Sequence, residues 1–188
     1  MVVDAGDGRV LVAFNEREAR RPASTTKILT ALAAVAALPP DTAVPISARA
    51  EAMPARKLNM KAGQVWDLED TLHSLLLSSA NDAALALAER VAGSAEAFST
   101  TLDRLAGRLR LADDPVLEDP SGLDDEFSID GGNYISARDL AIAARAVLAE
   151  PRLAPIVATP VYSFTGGDAI AHRIGNHNKL LARYPGAV

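Results

Sequence analysis

Apolar residues recur along this chain with two periods, and the points where one gives way to the other mark its elements. Residues 2–4 and 10–14 are apolar-rich and β-branched, and the turn-forming run Ala5-Gly6-Asp7-Gly8-Arg9 separates them, so the chain opens on a predicted hairpin. After Pro22 and Ala23 an apolar run predicts a buried helix over about 25–38, stopped by Pro39-Pro40. Residues 41–65 are mixed, with an extended piece from Ala43 to Ile46 and a turn at Ala62-Gly63. Asp67 is placed to cap a helix over about 68–78, with Leu68, Leu72, Leu75 and Leu76 on one face. Ser78-Ser79-Ala80 interrupts the pattern, and a second helix runs from Asn81 to Ala92 until Gly93 ends it. Ser94 opens a third, over about 95–110, with Phe98, Leu102, Leu105 and Leu109 at helical spacing.

Residues 112–135 read as a long loop rich in Asp, Pro and Gly, and loops of that length in compact domains often carry function. Ser136 with Asp139 resembles a capping box and starts a helix to about Ala149, ended by Pro151. Residues 160–175 form two short strands around Gly166-Gly167-Asp168. Strands, then helices, then strands again give an α+β architecture with a helical insertion.

Composition narrows the chemistry. At 188 residues, 49% hydrophobic and 23% charged, the chain is globular and can bury one good core. Aromatics are scarce at 4%, so that core should be largely aliphatic. A net charge of −5 without a basic stripe argues against a nucleic-acid partner. No run approaches the length of a membrane span, and the absence of cysteine removes disulfides and thiolate metal sites.

Two short segments carry candidate chemistry. Ser24 and Lys27 in Ser24-Thr25-Thr26-Lys27 share one helical face, so the amine can reach the hydroxyl. A serine becomes a nucleophile when a base takes its proton, and a lysine desolvated against an apolar wall can be that base. The plainer alternative is a helix start, with Ser24 or Thr25 as N-cap and Lys27 in solvent. Ser79 and Asn81, in the break between two apolar helices, offer a hydroxyl for proton relay and an amide to orient a lysine or a carbonyl. Their alternative is likewise a cap, for a helix beginning near Asp82.

Together these segments resemble a family. Pro22-Ala23-Ser24-Thr25-Thr26-Lys27-Ile28-Leu29-Thr30-Ala31-Leu32 is similar to the active-site helix of the serine D-alanyl-D-alanine carboxypeptidases, the low-molecular-mass penicillin-binding proteins related to the serine β-lactamases. Ser78-Ser79-Ala80-Asn81-Asp82-Ala83-Ala84 resembles their second motif. Asn176-His177-Asn178-Lys179-Leu180-Leu181 with Tyr184-Pro185-Gly186 resembles the approach to their third, and Pro120-Ser121-Gly122-Leu123 and Ser136-Ala137-Arg138-Asp139-Leu140 fit their middle region. The resemblance implies a penicillin-binding-protein/β-lactamase-like transpeptidase fold, an antiparallel sheet plus a helical subdomain. It makes residues 1–188 an incomplete catalytic domain: hairpin 1–20, a mostly helical block 24–150 holding the motifs, and the start of the returning strands at 160–188.

By the same resemblance, Ser24 attacks the carbonyl between two terminal D-alanines, Lys27 accepts its proton, and Ser79 relays a proton to the leaving D-alanine. Asn81 holds Lys27 and a substrate amide. The implied substrate is a peptidoglycan stem peptide, β-lactams are the implied inhibitors, and no metal or organic cofactor is called for.

The family's third motif, Lys-Thr-Gly, should follow Tyr184-Pro185-Gly186, yet none of the four lysines begins such a triplet. The expectation is therefore a chain cut before that motif, its C-terminal sheet strands missing and an apolar hairpin edge unpaired at 2–4 and 10–14. Met1 runs straight into strand-like Val2-Val3-Asp4, so neither a signal peptide nor a membrane anchor is expected within these 188 residues, whereas the parent is expected to act outside the cytoplasm. A non-catalytic module that binds peptidoglycan stems or penicillin is the alternative function. A class A β-lactamase is the more distant one, because Glu118-Asp119-Pro120-Ser121-Gly122 lacks the Glu-x-x-x-Asn needed to activate water.

Several other residues tempt. His172 and His177 with Asp168 match no common metal-ligand spacing and read as packing or hydrogen-bonding residues. His73 reads as a satisfied, half-buried histidine, and Trp66 as core or helix-start packing. Asp124-Asp125-Glu126 reads as a solvated loop face, and Arg20-Arg21 as surface charge or the mouth of a cleft.

Overall fold

The computed structural model describes residues 1–188 except Ala55, Asp125 and Val188. The opening hairpin forms, with β1 (Val2–Val3) antiparallel to β2 (Val10–Val12) and Val2 opposite Val12. It is shorter than the predicted strands because Asp4 leaves the ladder to close the turn. The Asp4 carbonyl accepts the Gly8 N–H at 2.9 Å, and its carboxylate accepts the Gly6 N–H at 2.9 Å.

The first helix differs from its predicted form at a decisive place. Ala23–Thr26 make a 3₁₀ turn, and only then does α1 (Lys27–Ala37) begin. Leu38 is extended because Pro39 and Pro40 follow it. Leu29, Ala31, Ala33 and Ala34 are essentially inaccessible, so α1 is the axis of the core.

A small ladder follows, β3 (Ala43–Pro45) antiparallel to β4 (Val65–Asp67), with Val44 opposite the buried Trp66. Between the two strands lies α2 (Ala48–Ala52), capped by the Ser47 hydroxyl. The Asp67 side chain caps nothing at the start of α3 (Leu68–Ser78); Thr71 instead donates its hydroxyl to the Asp67 carbonyl at 2.8 Å. Next come α4 (Asn81–Ala92), closed by Gly93 in the left-handed region, and α5 (Ala95–Leu109), capped by Ser94. Phe98, Leu102 and Leu105 point into the core as their spacing requires, and α1 packs against α3, α4, α5 and α6 (Ala137–Ala149). Ser136 caps α6, but the Asp139 carboxylate turns away from the box to accept the N–H groups of Ala112 and Asp113.

The short α7 (Ala154–Val157) leads to β5 (Val161–Thr165) and β6 (Ala171–Gly175), which pair across the predicted glycine turn with Tyr162 opposite Ile174. These strands do not return to the N-terminal hairpin; the described strands form three separate two-stranded sheets. The reason lies in their alternation, which turns Tyr162, Phe164, His172 and Ile174 inward. Phe164 and His172 pack on Trp66 at 6.0 and 5.3 Å between ring centres, and Tyr162 stacks on His73 at 3.5 Å. This aromatic cluster seats the hairpin on the helical block. Among the described residues no helix is long and apolar enough to cross a membrane.

Candidate active site

Ser24 stands exposed at the start of the first helix, and Lys27 lies buried beneath it, 2% accessible. The 3₁₀ turn brings them together, since residues three apart eclipse in that geometry. Lys27 Nζ donates to Ser24 Oγ at 3.1 Å, to Asn81 Oδ1 at 2.8 Å and to the Ser121 carbonyl at 2.7 Å. Three acceptors saturate an ammonium and fix where its proton leaves and returns. Burial is the largest influence on this amine and lowers its pKa from 10.5 to about 8. Asp119 and Asp82 oppose that fall, while Arg56 adds to it. The solvent-exposed alternative for Lys27 is thereby excluded, and neither Ser24 nor Thr25 caps the helix with its side chain.

The second pair sits where its two helices meet. Ser79 ends α3 in the left-handed region at φ 61°, which turns the chain sharply into α4. Its hydroxyl has no hydrogen-bond partner among the described residues. Asn81 is nearly buried; its amide Nδ2 donates to the Pro54 carbonyl at 3.2 Å, so Oδ1 is left for Lys27. The capping alternative fails for both residues, because Ala80 occupies the N-cap of α4 and no side chain bonds there.

The third side of the site comes from the loop expected over 112–135, whose length suggests function but whose sequence does not reveal that it meets Lys27. The Asp119 carboxylate is a buried hub for the turn that presents the Ser121 carbonyl. Asn133 holds Asp119 from behind and reaches Thr26 on the helix, while Thr30 donates its hydroxyl to the Pro120 carbonyl at 2.6 Å. Asp119-Pro120-Ser121-Gly122 does carry an Asx-turn signature, which forecasts the bend but not the lysine it faces. Asp82 was likewise unrecognised. It is fully buried and accepts the N–H groups of Leu58 and Met60, pinning the segment that supplies Pro54 and Arg56; burial raises its pKa despite these bonds.

The tempting residues fall elsewhere. His172 bonds Asp168 at 3.0 Å inside the aromatic cluster, whereas His177 Nδ1 lies 3.3 Å from Arg56 Nη1. Among the described residues no group of three His, Cys, Asp or Glu could hold a metal. His73 is buried and bonds the Glu69 carbonyl through Nδ1 at 2.9 Å. Arg21 pairs with Asp124 and Tyr134, and Arg20 with Glu18; Asp125 lies outside the described residues. Two cavities, of about 430 and 550 Å³, lie away from Ser24, one beside His73 and Tyr162 and the other between α1 and α5.

The chain is similar to known proteins along its whole length. Residues 1–188 match the family described as D-alanyl-D-alanine carboxypeptidase. The D-alanyl-D-alanine carboxypeptidase DacB2 of Mycobacterium tuberculosis is 32% identical over 188 residues, 100% of this chain and 62% of that protein. DacF of Bacillus subtilis, with the same description, is 29% identical over 191 residues, 99% of this chain and 48% of its own length. The chain thus spans between about half and three fifths of these curated relatives. A crystal structure of an evolved penicillin-binding protein homologue from Mycobacterium tuberculosis superposes with a TM-score of 0.90 at 32% identity, covering 99% of this chain and 68% of that one. The α+β fold is therefore that of the penicillin-binding proteins.

Proposed function

The chain belongs to the D-alanyl-D-alanine carboxypeptidase family, and from that premise we propose that Ser24 and its neighbours are the acyl-transfer centre of an enzyme that removes the terminal D-alanine from peptidoglycan stem peptides. The observation that carries this reading is the buried Lys27 amine bonded at once to Ser24 Oγ, Asn81 Oδ1 and the Ser121 carbonyl. A lysine with a pKa of about 8 is close enough to neutrality to lose its proton to solvent and then take one from serine.

In this reading Ser24 Oγ attacks the peptide carbonyl between the two D-alanines while its proton passes to Lys27 Nζ. Asn81 and Ser121 keep the amine from rotating as its charge changes. The tetrahedral adduct collapses when the leaving amine receives a proton, for which the unengaged Ser79 hydroxyl is the relay. Free D-alanine departs, leaving an ester on Ser24, and water hydrolyses that ester to the shortened peptide. β-Lactams acylate the same hydroxyl by ring opening. The substrate belongs to the cell wall, so the reaction takes place outside the cytoplasmic membrane. Residues 1–188 supply the hairpin and the helical block that carries the first two motifs.

The β-lactamase reading is weakened further by the loop itself, because the Asp119 carboxylate is consumed by backbone N–H groups and is not free to activate water.

Intact mass spectrometry after exposure to benzylpenicillin, beside Ser24→Ala, is the test. A penicilloyl adduct present in the wild type and absent in the variant is the expected result. An adduct that survives in Ser24→Ala assigns the nucleophile elsewhere, and no adduct on either chain leaves the binding-module reading in place.

A further inference from the structure

Five donors converge on one buried carboxylate that belongs to neither family motif. Asp119 Oδ1 accepts the Ser121 N–H at 2.7 Å, the Ser121 hydroxyl at 2.6 Å, the Gly122 N–H at 2.7 Å and the Leu123 N–H at 3.3 Å. Its Oδ2 accepts the Ile129 N–H at 3.0 Å, and the residue is 1% accessible. Asn133 locks the same residue through its backbone, receiving the Asp119 N–H at 2.8 Å and donating to the Asp119 carbonyl at 2.7 Å. A neutral amide could not replace this group, since its NH₂ would face donors where it needs acceptors.

We propose that Asp119 is a positioning residue for the Ser24–Lys27 pair: by gathering the N–H groups of the 121–123 turn it aims the Ser121 carbonyl at Lys27 Nζ and so fixes the direction of the amine. Its effect on acylation rests on the acyl-transfer reading above, while its effect on Lys27 does not. The turn has one way to sit. Gly122 is left-handed at φ 80°, and a Cβ there would collide with the Ala23 carbonyl, so the bend that carries Ser121 lies directly against the residue before the nucleophile.

The same carboxylate acts on Lys27 by charge. Three ionisable groups bear on the amine: Asp119 and Asp82 hold its proton on, and Arg56 pushes it off. Removing the Asp119 charge therefore lets burial lower the amine further and unties the carbonyl that directs it. The two effects have distinct signatures, an acid shift of the titration and a lower plateau rate.

The experiment follows the ¹³Cε resonances of the four lysines through a pH titration of the 188-residue chain, with Lys27→Arg assigning the signal. In Asp119→Asn the Lys27 midpoint should move down by about one pH unit or more. The rate of penicilloyl formation at its high-pH plateau should fall at least about tenfold. A folded Asp119→Asn whose Lys27 titrates as in the wild type overturns the proposal, because a merely structural residue leaves that midpoint alone. If Asp119→Asn loses its amide dispersion, the wild type still decides. Asp119 ¹³Cγ should inflect at the Lys27 midpoint and lose that inflection in Lys27→Arg, and a trace flat through the midpoint overturns the coupling. A wild type that shows the inflection but takes no penicillin supports the coupling of Asp119 to Lys27 and sinks the acyl-transfer reading instead.

Discussion

Lys27 is costly to the protein that holds it, and the cost has a sign and a pH window. Its folded pKa of about 8 lies below the ordinary 10.5, so between these values the unfolded chain keeps a proton that the folded chain has released. Stability must rise with pH across that window, and below pH 8 the full penalty, about 3 kcal/mol, is present. Urea unfolding of the wild type and Lys27→Met should show the difference moving in the wild type's favour by up to about 3 kcal/mol between pH 8 and 10.5. Penicilloyl formation should also climb with pH through about 8, as the amine becomes neutral. Asn81→Asp would place a carboxylate where an amide oxygen now lies 2.8 Å from Nζ, raising the Lys27 pKa by about 1–3 units. The pH–rate curve of that variant should shift to the alkaline side, with a loss of about tenfold or more at pH 7. An unshifted curve would mean that Lys27 is not the titrating base.

At the scale of elements, the site depends on turns more than on helices. Gly122→Ala adds both a strained φ and a clash with the Ala23 carbonyl, and Ala23 is already left-handed at φ 48°. A loss of more than about 2 kcal/mol in urea and a collapse of acylation are expected together. The β5–β6 hairpin hangs on Trp66, since Phe164 and His172 pack on its ring and a Cβ at Gly166 would strike it. Trp66→Ala should cost about 3–5 kcal/mol and release residues 161–175 to fast amide exchange, while α1 keeps its protection. The helices themselves are legible in the sequence: the helix expected over about 68–78 forms at Leu68–Ser78, and the one expected from Asn81 to Ala92, closed by Gly93, forms with those bounds. Their apolar period matched their burial, so local pattern and tertiary packing agreed. The first helix was misjudged at one end, because nothing in Ala23-Ser24-Thr25-Thr26 distinguishes an α from a 3₁₀ turn until the loop at 122 presses on Ala23.

For the whole molecule, the helical block is closed and the N-terminal hairpin is open. Val10, Leu11 and Val12 are all more than half accessible, and Phe14 is 84% exposed. A short two-stranded ribbon with such a face invites pairing with another copy. Sedimentation of the 188-residue chain should show concentration-dependent association that Val12→Lys with Phe14→Lys suppresses, at unchanged helix content by circular dichroism.

The sequence by itself determined the helical framework and the α+β class, because periodicity is a local property of a chain, whereas Ser24, Lys27, Ser79 and Asn81 stood out only through their resemblance to family motifs. It also placed Ser24 and Lys27 within reach, since three positions along a helix fix a distance. Tertiary structure alone decided what surrounds them. Asn81 comes from 54 residues away to meet Lys27, and Ser121 from 94. Asp119, Asn133 and Asp82 matter through what they face, which no local pattern encodes. A pKa near 8 is likewise a property of burial, and burial exists only once distant segments have closed over the amine.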